Sequence, residues 1–378
     1  MQRSKAIVKK PAPSRRLPVA GPGNRKRGKP KAHPQPLRFQ RTGKRRRRPF
    51  RPRIFSQAFQ AGFRAGRKDA ADYTVENEPN PIQALNRLWL RRANGVGRIG
   101  AGWRRYEEAA KGYVNGYFRG KRKPPRDWLM MPTGKSVAAI VTVMNEERTI
   151  GSVMSELKRL PLEEIYVIVN GSSDRSFEKA REHPSATVLF YPEPLGHDVG
   201  RAVGAKMAQS EILLFLDGDI QLSAERLLPF ISAVDRGTDV ALNDISPFLG
   251  LFYNRDQVTY MKQFLNVALG RNDLQANSMT AVPHALSRRA VETIGIASLM
   301  VPPKAQALAV HHGLQIRSAC SVDVVRRNRV RNNNIGPMNH VAELIVGDHL
   351  EALKLIGDLK GERMAFADTM RKRSYAWR

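Results

Sequence analysis

The stretch Ile212-Leu-Leu-Phe-Leu-Asp-Gly-Asp-Ile220 decides the fold class of this chain. Its apolar residues predict a buried strand that ends in two carboxylates, Asp217 and Asp219. Side chains two residues apart in an extended backbone project to the same side, so both carboxylates should converge at the strand's exit. Oxygen donors placed this way suit Mg²⁺ or Mn²⁺, which in turn could bind a diphosphate. An ordinary solvated strand end explains the same residues, because short motifs are often false positives.

The sequence around this stretch alternates between strand and helix patterns. Runs of β-branched and other apolar residues predict strands over residues 137–144, 165–169, 188–191 and 212–216. Helical periodicity lies between them, over residues 146–160, 173–182 and 199–209. Repeated β-α-β units predict an α/β fold with a doubly wound sheet, whose ligands bind beyond the carboxyl ends of the strands.

Composition limits the class of protein. The chain has 378 residues, of which 42% are hydrophobic, enough for a sizeable core. No apolar run approaches the roughly 20 residues that span a bilayer, and the first residues lead into no apolar signal-peptide core. A single cysteine, Cys320, excludes an intramolecular disulfide and a cysteine-rich zinc site. We therefore expect a cytoplasmic protein without a transmembrane segment.

The positive charge is concentrated at one end of the chain. The net charge of the chain is +30. Residues 1–53 contain 20 Lys and Arg and no acidic residue, so they contribute +20 of this charge, and they also contain nine prolines. Such a segment buries too little surface to offset its ordering entropy, so we expect a disordered basic tail. The run Lys44-Arg-Arg-Arg-Arg48 would attract an anionic membrane surface, nucleic acid or another polyanion. The alternative is a solubilising tail with no specific partner.

A short helical region is predicted over residues 54–130. Phe55, Phe59 and Phe63 recur at a spacing of four, as on one helical face. The fragment from Phe59 to Gly66 is loosely repeated from Tyr113 to Gly120, which indicates a pair of similar helices. These helices either pack in a core or lie on a membrane surface through Trp89 and Trp103.

Polar residues follow each of the predicted strands. Asn145 and Glu146 follow the first strand, where a helix start could hold a nucleotide. Asn170 and Asp174 frame the turn after the second strand. Arg201 lies in the glycine-punctuated helix start of residues 196–208 and could meet a diphosphate. Taken singly, each has a structural alternative: a helix cap, a solvated first-turn acid, or a tight helix–sheet contact.

Together, these segments resemble the nucleotide-binding half of family 2 glycosyltransferases of the GT-A fold. The resemblance covers roughly residues 136–235, and residues 196–219 match the family's helix and Asp-x-Asp strand without a gap. It implies a mixed sheet flanked by helices, a UDP- or GDP-sugar donor, and Mn²⁺ or Mg²⁺. It also implies which residues contact the donor and the metal ion. Asn145, Glu146, Asn170 and Asp174 would contact the nucleoside, and Arg201 would contact the phosphates. Asp217 and Asp219 would contact the sugar or the metal ion.

The sequence departs from the family in two places. Asn170 stands where many members have an aspartate. Val301 and Pro302 stand where inverting members carry a Glu-Asp pair, and neither can act as the general base. Retaining relatives, such as glucosyl-3-phosphoglycerate and mannosylglycerate synthases, lack that aspartate and add a histidine to the metal. Candidates for the missing roles are His349 as a metal ligand, Asn277 as a substrate contact, and His284 or Asp273 in catalysis.

The sequence thus predicts a metal-assisted glycosyltransferase with an unidentified acceptor, held near a membrane or polyanion by its tail. Alternatives are an inactive GT-A binding protein, a sugar-nucleotidyltransferase, which should carry a glycine-rich phosphate loop, or a nucleic-acid binder acting through the tail. The expected division is a basic tail over 1–53, a helical region over 54–130, the nucleotide-sugar half over 136–235, the acceptor half over 236–360 and a basic tail over 361–378.

Overall fold

The computed structural model describes residues 56–96, 102–324 and 339–372. The predicted tail of residues 1–53 lies outside the described residues, as do residues 373–378. In the described part, a sheet of seven strands has the order β3-β2-β1-β4-β6-β5-β7. Its strands are β1 (Val137–Val143), β2 (Glu164–Asn170), β3 (Thr187–Tyr191), β4 (Ile212–Asp217), β5 (Val240–Asn243), β6 (His284–Ser287) and β7 (Ile316–Cys320).

The helices in the described part lie before, between and after these strands. They are α1 (Gln57–Asp72), α2 (Pro81–Val96), α3 (Trp103–Gly120), α4 (Ile150–Leu157), α5 (Ser176–Arg181), α6 (Val199–Met207), α7 (Ala224–Asp235), α8 (Gln257–Ala268), α9 (Arg288–Ile294), α10 (Pro302–His311) and α11 (His340–Lys360). Short 3₁₀ turns occupy Val75–Asn77, Ser246–Phe248, Phe252–Asn254, Asn272–Leu274 and Ile296–Met300. The predicted α/β fold, a mixed sheet flanked by helices, is confirmed.

The sheet is mixed because β6 runs against both of its neighbours. β6 pairs antiparallel with β4 and with β5, while the other neighbouring pairs are parallel. β4 and β5 therefore run in the same direction, and their carboxyl ends lie at one edge together with those of β1 and β2. We call this the carboxyl edge.

Helices cover both faces of the sheet. Alternate residues of β1 enter opposite cores, as expected for a strand. Val141 belongs to a core shared with α3, α4 and α7, whereas Ile140 belongs to a core shared with α6, α9 and α10. A third, smaller core joins α8, α10 and α11. Within the described ranges, no helix is both long enough and apolar enough to cross a membrane.

The repeated fragments noted in the sequence form one tight helix pair, α1 with α3. A Cβ built on Gly62 or Gly66 would lie 2.0 or 2.1 Å from a carbonyl oxygen of α3. The reciprocal positions Gly112 and Gly116 meet carbonyl oxygens of α1 at 2.1 Å. Backbone approaches this close require glycine on both helices. The repeat is therefore a packing device.

Burial of Trp89 favours the core-packing alternative for this region over the membrane-surface one. Its ring is 0% exposed, and Nε1 donates to Tyr106 Oη at 2.9 Å. The same Tyr106 hydroxyl donates to Met130 O, which fastens α3 to the chain that leads into β1. Buried Asp69 accepts from Tyr113 Oη at 2.6 Å and pairs with Arg92 at 2.7 Å, so its charge is compensated.

An ion-pair network joins the helical region to the sheet. Glu225, on α7, pairs with Arg159 at 2.6 Å and with Lys111, on α3, at 2.7 Å. Burial alone would raise the pKa of Glu225, but the hydrogen bonds and charges of Arg159 and Lys111 outweigh it and lower the pKa to about 2.

We predict that Gly116→Ala lowers the free energy of unfolding by about 3 kcal/mol, because the added methyl group overlaps the Phe63 carbonyl. Gly347→Ala is the matched control, since a Cβ there meets nothing within 4 Å. In the middle of α11 it should stabilise the protein by about 0.5–1 kcal/mol. Urea unfolding measures both; equal effects at the two positions would contradict the close packing.

We also predict a pH-dependent contribution from Glu225. Because its pKa is lowered in the folded state, its stabilisation is complete above the usual value of 4.5 and is lost as the pH falls toward about 2. Glu225→Gln should therefore cost about 2 kcal/mol at pH 7. Unfolding curves across this range should show the two proteins converging at low pH. A difference independent of pH would show that the charge contributes little.

Candidate functional site

The carboxyl edge brings the ends of β1, β2 and β4 together, as predicted. Thr142, on β1, lies in register with Asp217, on β4, and its Oγ1 donates to Asp217 Oδ1 at 2.8 Å. The Asp217 side chain is 34% exposed, so a ligand can reach it. Gly218 N donates to Thr142 O at 2.8 Å. A Cβ on Gly218 would lie 2.8 Å from Val143 Cγ2, so the tight turn between the two aspartates needs glycine.

Helix α6 approaches the sheet closely enough to place Arg201 beside Asp217. A Cβ on Gly204 would lie 2.4 Å from Ile140 Cγ2, and one on Gly200 would lie 3.0 Å from Thr142 Cγ2. These glycines let the first two turns of α6 rest on β1 and β2, as in the structural alternative for this segment.

Arg201 is buried and links Asp217 to two other parts of the fold. It is 5% exposed, its Nε pairs with Asp198 Oδ1 at 3.0 Å, and its Nη1 donates to Met279 O at 2.9 Å. Its Nη2 lies 3.9 Å from Asp217 Oδ1. The guanidinium thus joins α6, the segment before β6 and the end of β4. The predicted direct contact of Arg201 with phosphate stays a prediction, whereas its position favours a role in fixing Asp217.

The loops after β1 and β2 are bonded to one another. Asn145 Oδ1 accepts from Ser173 N at 2.9 Å, and Asn145 N donates to Ser172 Oγ at 3.1 Å. Asp174 accepts from Glu147 N at 3.0 Å and from Ser176 N and Oγ. Burial raises the pKa of Asp174, but these hydrogen bonds lower it more, so the net pKa is below its usual value. The carboxylate is therefore held ionised.

These contacts show what the predicted nucleoside residues do in the fold. Asn145 connects the two loops through its hydrogen bonds to Ser172 and Ser173, and its φ is 60°. Glu146 is 2% exposed, and its amide donates to Ser176 Oγ at 2.7 Å. The loop pair is thus a preformed surface at the carboxyl edge. Nucleoside contacts by Asn145, Glu146 and Asp174 stay predictions.

Asn170 has a structural reason for replacing the aspartate of the family pattern. Its Nδ2 donates to Gly196 O at 2.9 Å, and its Oδ1 accepts from Leu195 N at 2.7 Å. An aspartate could accept but could not donate, so it would face the carbonyl of Gly196 with a negative charge. The amide therefore fastens the loop before α6 to the end of β2, and its predicted nucleoside contact is untested.

The other predicted residues are dispersed. Asn277 is 3% exposed; its Oδ1 accepts from Ile245 N and its Nδ2 donates to Asp244 and Ser318, so its polar groups are used inside the fold. Asp273 is exposed and pairs with Arg271 at 2.7 Å. Asn277 thus bonds to residues that directly follow β5 at the carboxyl edge, whereas Asp273 pairs with Arg271 on the surface. Both predicted roles remain untested.

The two candidate histidines are buried and neutral. His284 stacks on Phe215 with ring centroids 5.0 Å apart, and burial and then Arg201 lower its pKa to about 3. His349 is 0% exposed, and its Nδ1 lies 2.6 Å from Ile345 O. Burial lowers the pKa of His349 to about 4 despite that bond, and Lys262 lowers it further. Among the described residues, no group of three or more His, Cys, Asp and Glu side chains could hold a metal ion. The predicted role of His349 as a metal ligand stays a prediction.

Three charged residues around the Arg201–Asp198 pair were not predicted from the sequence: Asp198 itself, Lys262 and Asp348. Asp198 lies three residues before Arg201, a spacing that could have revealed the pair. Burial lowers the pKa of Lys262, on α8, to about 8. The negative charges of Asp256 and Asp198 raise this pKa, whereas Arg201 lowers it further. Asp348, on α11, has its pKa raised to about 6 by burial and by Asp198. These two come from distant parts of the chain, so no local spacing could have indicated them.

Comparison with known proteins gives a match over the part of the chain that contains these strands and loops. Residues 138–292 match the model of the family described as glycosyl transferase family 2. This match confirms the family resemblance. The polypeptide N-acetylgalactosaminyltransferase 3 of Drosophila melanogaster is 30% identical over 143 residues, covering 35% of this chain. The chain spans only 21% of the length of that relative.

Solved structures with related folds include glucosyl-3-phosphoglycerate synthase from Mycobacterium tuberculosis in complex with Mn²⁺, UDP and phosphoglyceric acid. It is 16% identical, with a TM-score of 0.45, and the alignment covers 62% of this chain and 81% of that one. A second, described only as a mycobacterial protein, is 17% identical with a TM-score of 0.44, over 62% of this chain and 77% of that one. Superpositions this loose transfer no ligand to the present chain.

We predict that Asn170→Asp destabilises the protein by about 0.5–1.5 kcal/mol, because the carbonyl of Gly196 loses its donor and meets a charge. Asn254→Asp, on an exposed surface, is the control and should change stability by less than about 0.5 kcal/mol. Urea unfolding compares the two. An Asn170→Asp protein as stable as wild type would show that the amide's bond to Gly196 is dispensable.

Proposed function

We propose that the protein is a glycosyltransferase that moves a sugar from a nucleoside diphosphate donor to an acceptor with the help of a divalent metal ion. The observation that carries this proposal is the pair Asp217 and Asp219 at the carboxyl edge, within the segment that matches the family model. The edge also presents the preformed loops after β1 and β2. A donor would thus find its nucleoside, phosphate and sugar surfaces side by side.

The donor set fits Mn²⁺ or Mg²⁺. Asp217 and Asp219 supply hard oxygen ligands, and the substrate diphosphate and water would complete the shell. Such a metal ion, when bound, supplies Lewis-acid stabilisation to the leaving diphosphate. Thr142 and Arg201 hold Asp217 in place before the substrate arrives, so little reorganisation is needed. We propose a UDP-sugar as the first donor to test, and a GDP-sugar as the second.

No general base stands at the position where inverting family members carry one, because Val301 and Pro302 occupy it. α10 begins at Pro302, preceded by Val301, and proline fits the first turn of a helix. This arrangement supports the second candidate function, a protein that binds sugar nucleotides without turnover. His284 and Asp273 remain to be tested, although His284 is 1% exposed and Asp273 lies on the surface beside Arg271.

The test is a thermal-shift screen of UDP- and GDP-sugars with and without Mn²⁺. Ligand that binds only the folded state raises the melting temperature by mass action. We predict a metal-dependent shift in the wild type that is lost in Asp219→Asn. Asp358→Asn, an exposed carboxylate on α11, is the matched control and should keep the shift.

Hydrolysis of the donor then separates the two candidate functions. A shift accompanied by release of nucleoside diphosphate supports transfer chemistry. A shift without turnover, for any donor, would favour the binding protein. If no sugar nucleotide shifts the wild type with or without Mn²⁺, both candidate functions are contradicted.

A further inference from the structure

An exposed aromatic surface extends from the carboxyl edge. Leu251, Phe252 and Tyr253 are consecutive in the loop between β5 and α8, and they are 64%, 59% and 74% exposed. Single exposed apolar residues are normal, but three in sequence at a loop tip call for an explanation. Binding of a sugar donor at Asp217 does not explain why these three side chains are exposed.

The surface continues along α8. The rings of Phe252 and Tyr260 lie 4.9 Å apart, and Phe264 follows Tyr260 at a spacing of four, on the same helical face. Phe264 in turn stacks on Phe366 at 6.4 Å. We call Leu251, Phe252, Tyr253, Tyr260, Phe264 and Phe366 the aromatic ridge.

The ridge is held in its exposed shape by specific bonds. Tyr260 Oη donates to Phe252 O at 2.6 Å, and Arg255 Nε donates to Gly250 O at 3.2 Å. The Arg255 guanidinium lies 5.6 Å from the centre of the Phe252 ring. At the other end, Ala365 N donates to Ala268 O at 3.0 Å and fixes the segment that carries Phe366. A loop bonded this way presents its side chains to solvent without rearrangement.

The position of the ridge relates it to the site. β5 runs parallel to β4, so the loop that follows β5 leaves the sheet at the same edge as Asp217 and Asp219. A surface that bound the ridge would lie on the side of the molecule from which an acceptor could approach.

Charge indicates what that surface is. Arg255 lies against the ridge, and Arg371 and Lys372 follow the 95% exposed Met370 on the segment of Phe366. Arg371 pairs with Asp368 at 3.5 Å but stays 66% exposed. The chain as a whole carries +30, including 20 Lys and Arg in residues 1–53. Exposed aromatic side chains beside arginines suit the interfacial layer of a bilayer with negative headgroups.

We propose that the aromatic ridge docks the protein on an anionic phospholipid membrane, with Leu251, Phe252 and Tyr253 entering the interfacial layer. The basic residues meet the headgroups, and the aromatic rings supply the apolar contact. This proposal does not depend on transfer activity, because it concerns binding to lipid alone.

The test is co-sedimentation of the full chain with vesicles of phosphatidylcholine alone and of an equal mixture with phosphatidylglycerol. Leu251→Ser combined with Tyr253→Ser should weaken binding to the mixed vesicles by about tenfold or more, since two apolar side chains are lost. The matched control is Tyr73→Ser with Leu350→Ser, which removes one tyrosine and one leucine of 44% and 56% exposure elsewhere. It should bind like wild type.

High salt separates the ridge from simple charge attraction, which is screened there. Residual binding of the wild type at high salt, lost in the ridge variant, supports the proposal. Equal binding by wild type and ridge variant at high salt would overturn it, as would no wild-type binding to mixed vesicles. The proposal also fails if the ridge variant changes only the oligomeric state in sedimentation, because the ridge would then join copies of the chain.

Discussion

The close contact of α6 with β1 and β2 is the constraint on which the site depends. Without side chains at Gly200 and Gly204, the helix rests directly on the strands. That position places Arg201 within 3.9 Å of Asp217 while its other nitrogens are held by Asp198 and Met279. Any larger residue at Gly204 would overlap Ile140 and lift the helix, and the brace on Asp217 would be lost with it. Packing in the core thus determines the orientation of the carboxylate.

A second glycine contact organises the helical region before the sheet. The α1–α3 pair interlocks through glycines on both helices, and buried Asp69, Trp89 and Tyr106 complete its core. Glu225 then ties α3 to α7 and to Arg159. The region is consequently part of the same packed body as the sheet, and it supports the face opposite to α6.

Much of the sheet could be predicted from the sequence, since buried strands such as residues 212–217 are continuous apolar runs with sharp polar ends. The position of Asp217 at the same edge as the loops after β1 and β2 could also be predicted, because parallel strands end at one edge. The sequence could not show what the side-chain amides of Asn170 and Asn277 bond to, because their partners are distant in the chain. The Asn170 amide bonds to backbone groups, and the Asn277 amide bonds to one backbone N–H and two side chains. For the same reason, the approach of Lys262 and Asp348 to Asp198 had no local signal.

We propose above all that Asp217 and Asp219 hold a divalent metal ion that binds the donor diphosphate. Anomalous diffraction from crystals grown with Mn²⁺ and UDP tests this most directly. We expect a manganese peak within coordination distance of both carboxylates, with the diphosphate on its open side and the uridine against the loops after β1 and β2. A manganese peak elsewhere, or UDP bound away from the carboxyl edge, would contradict it.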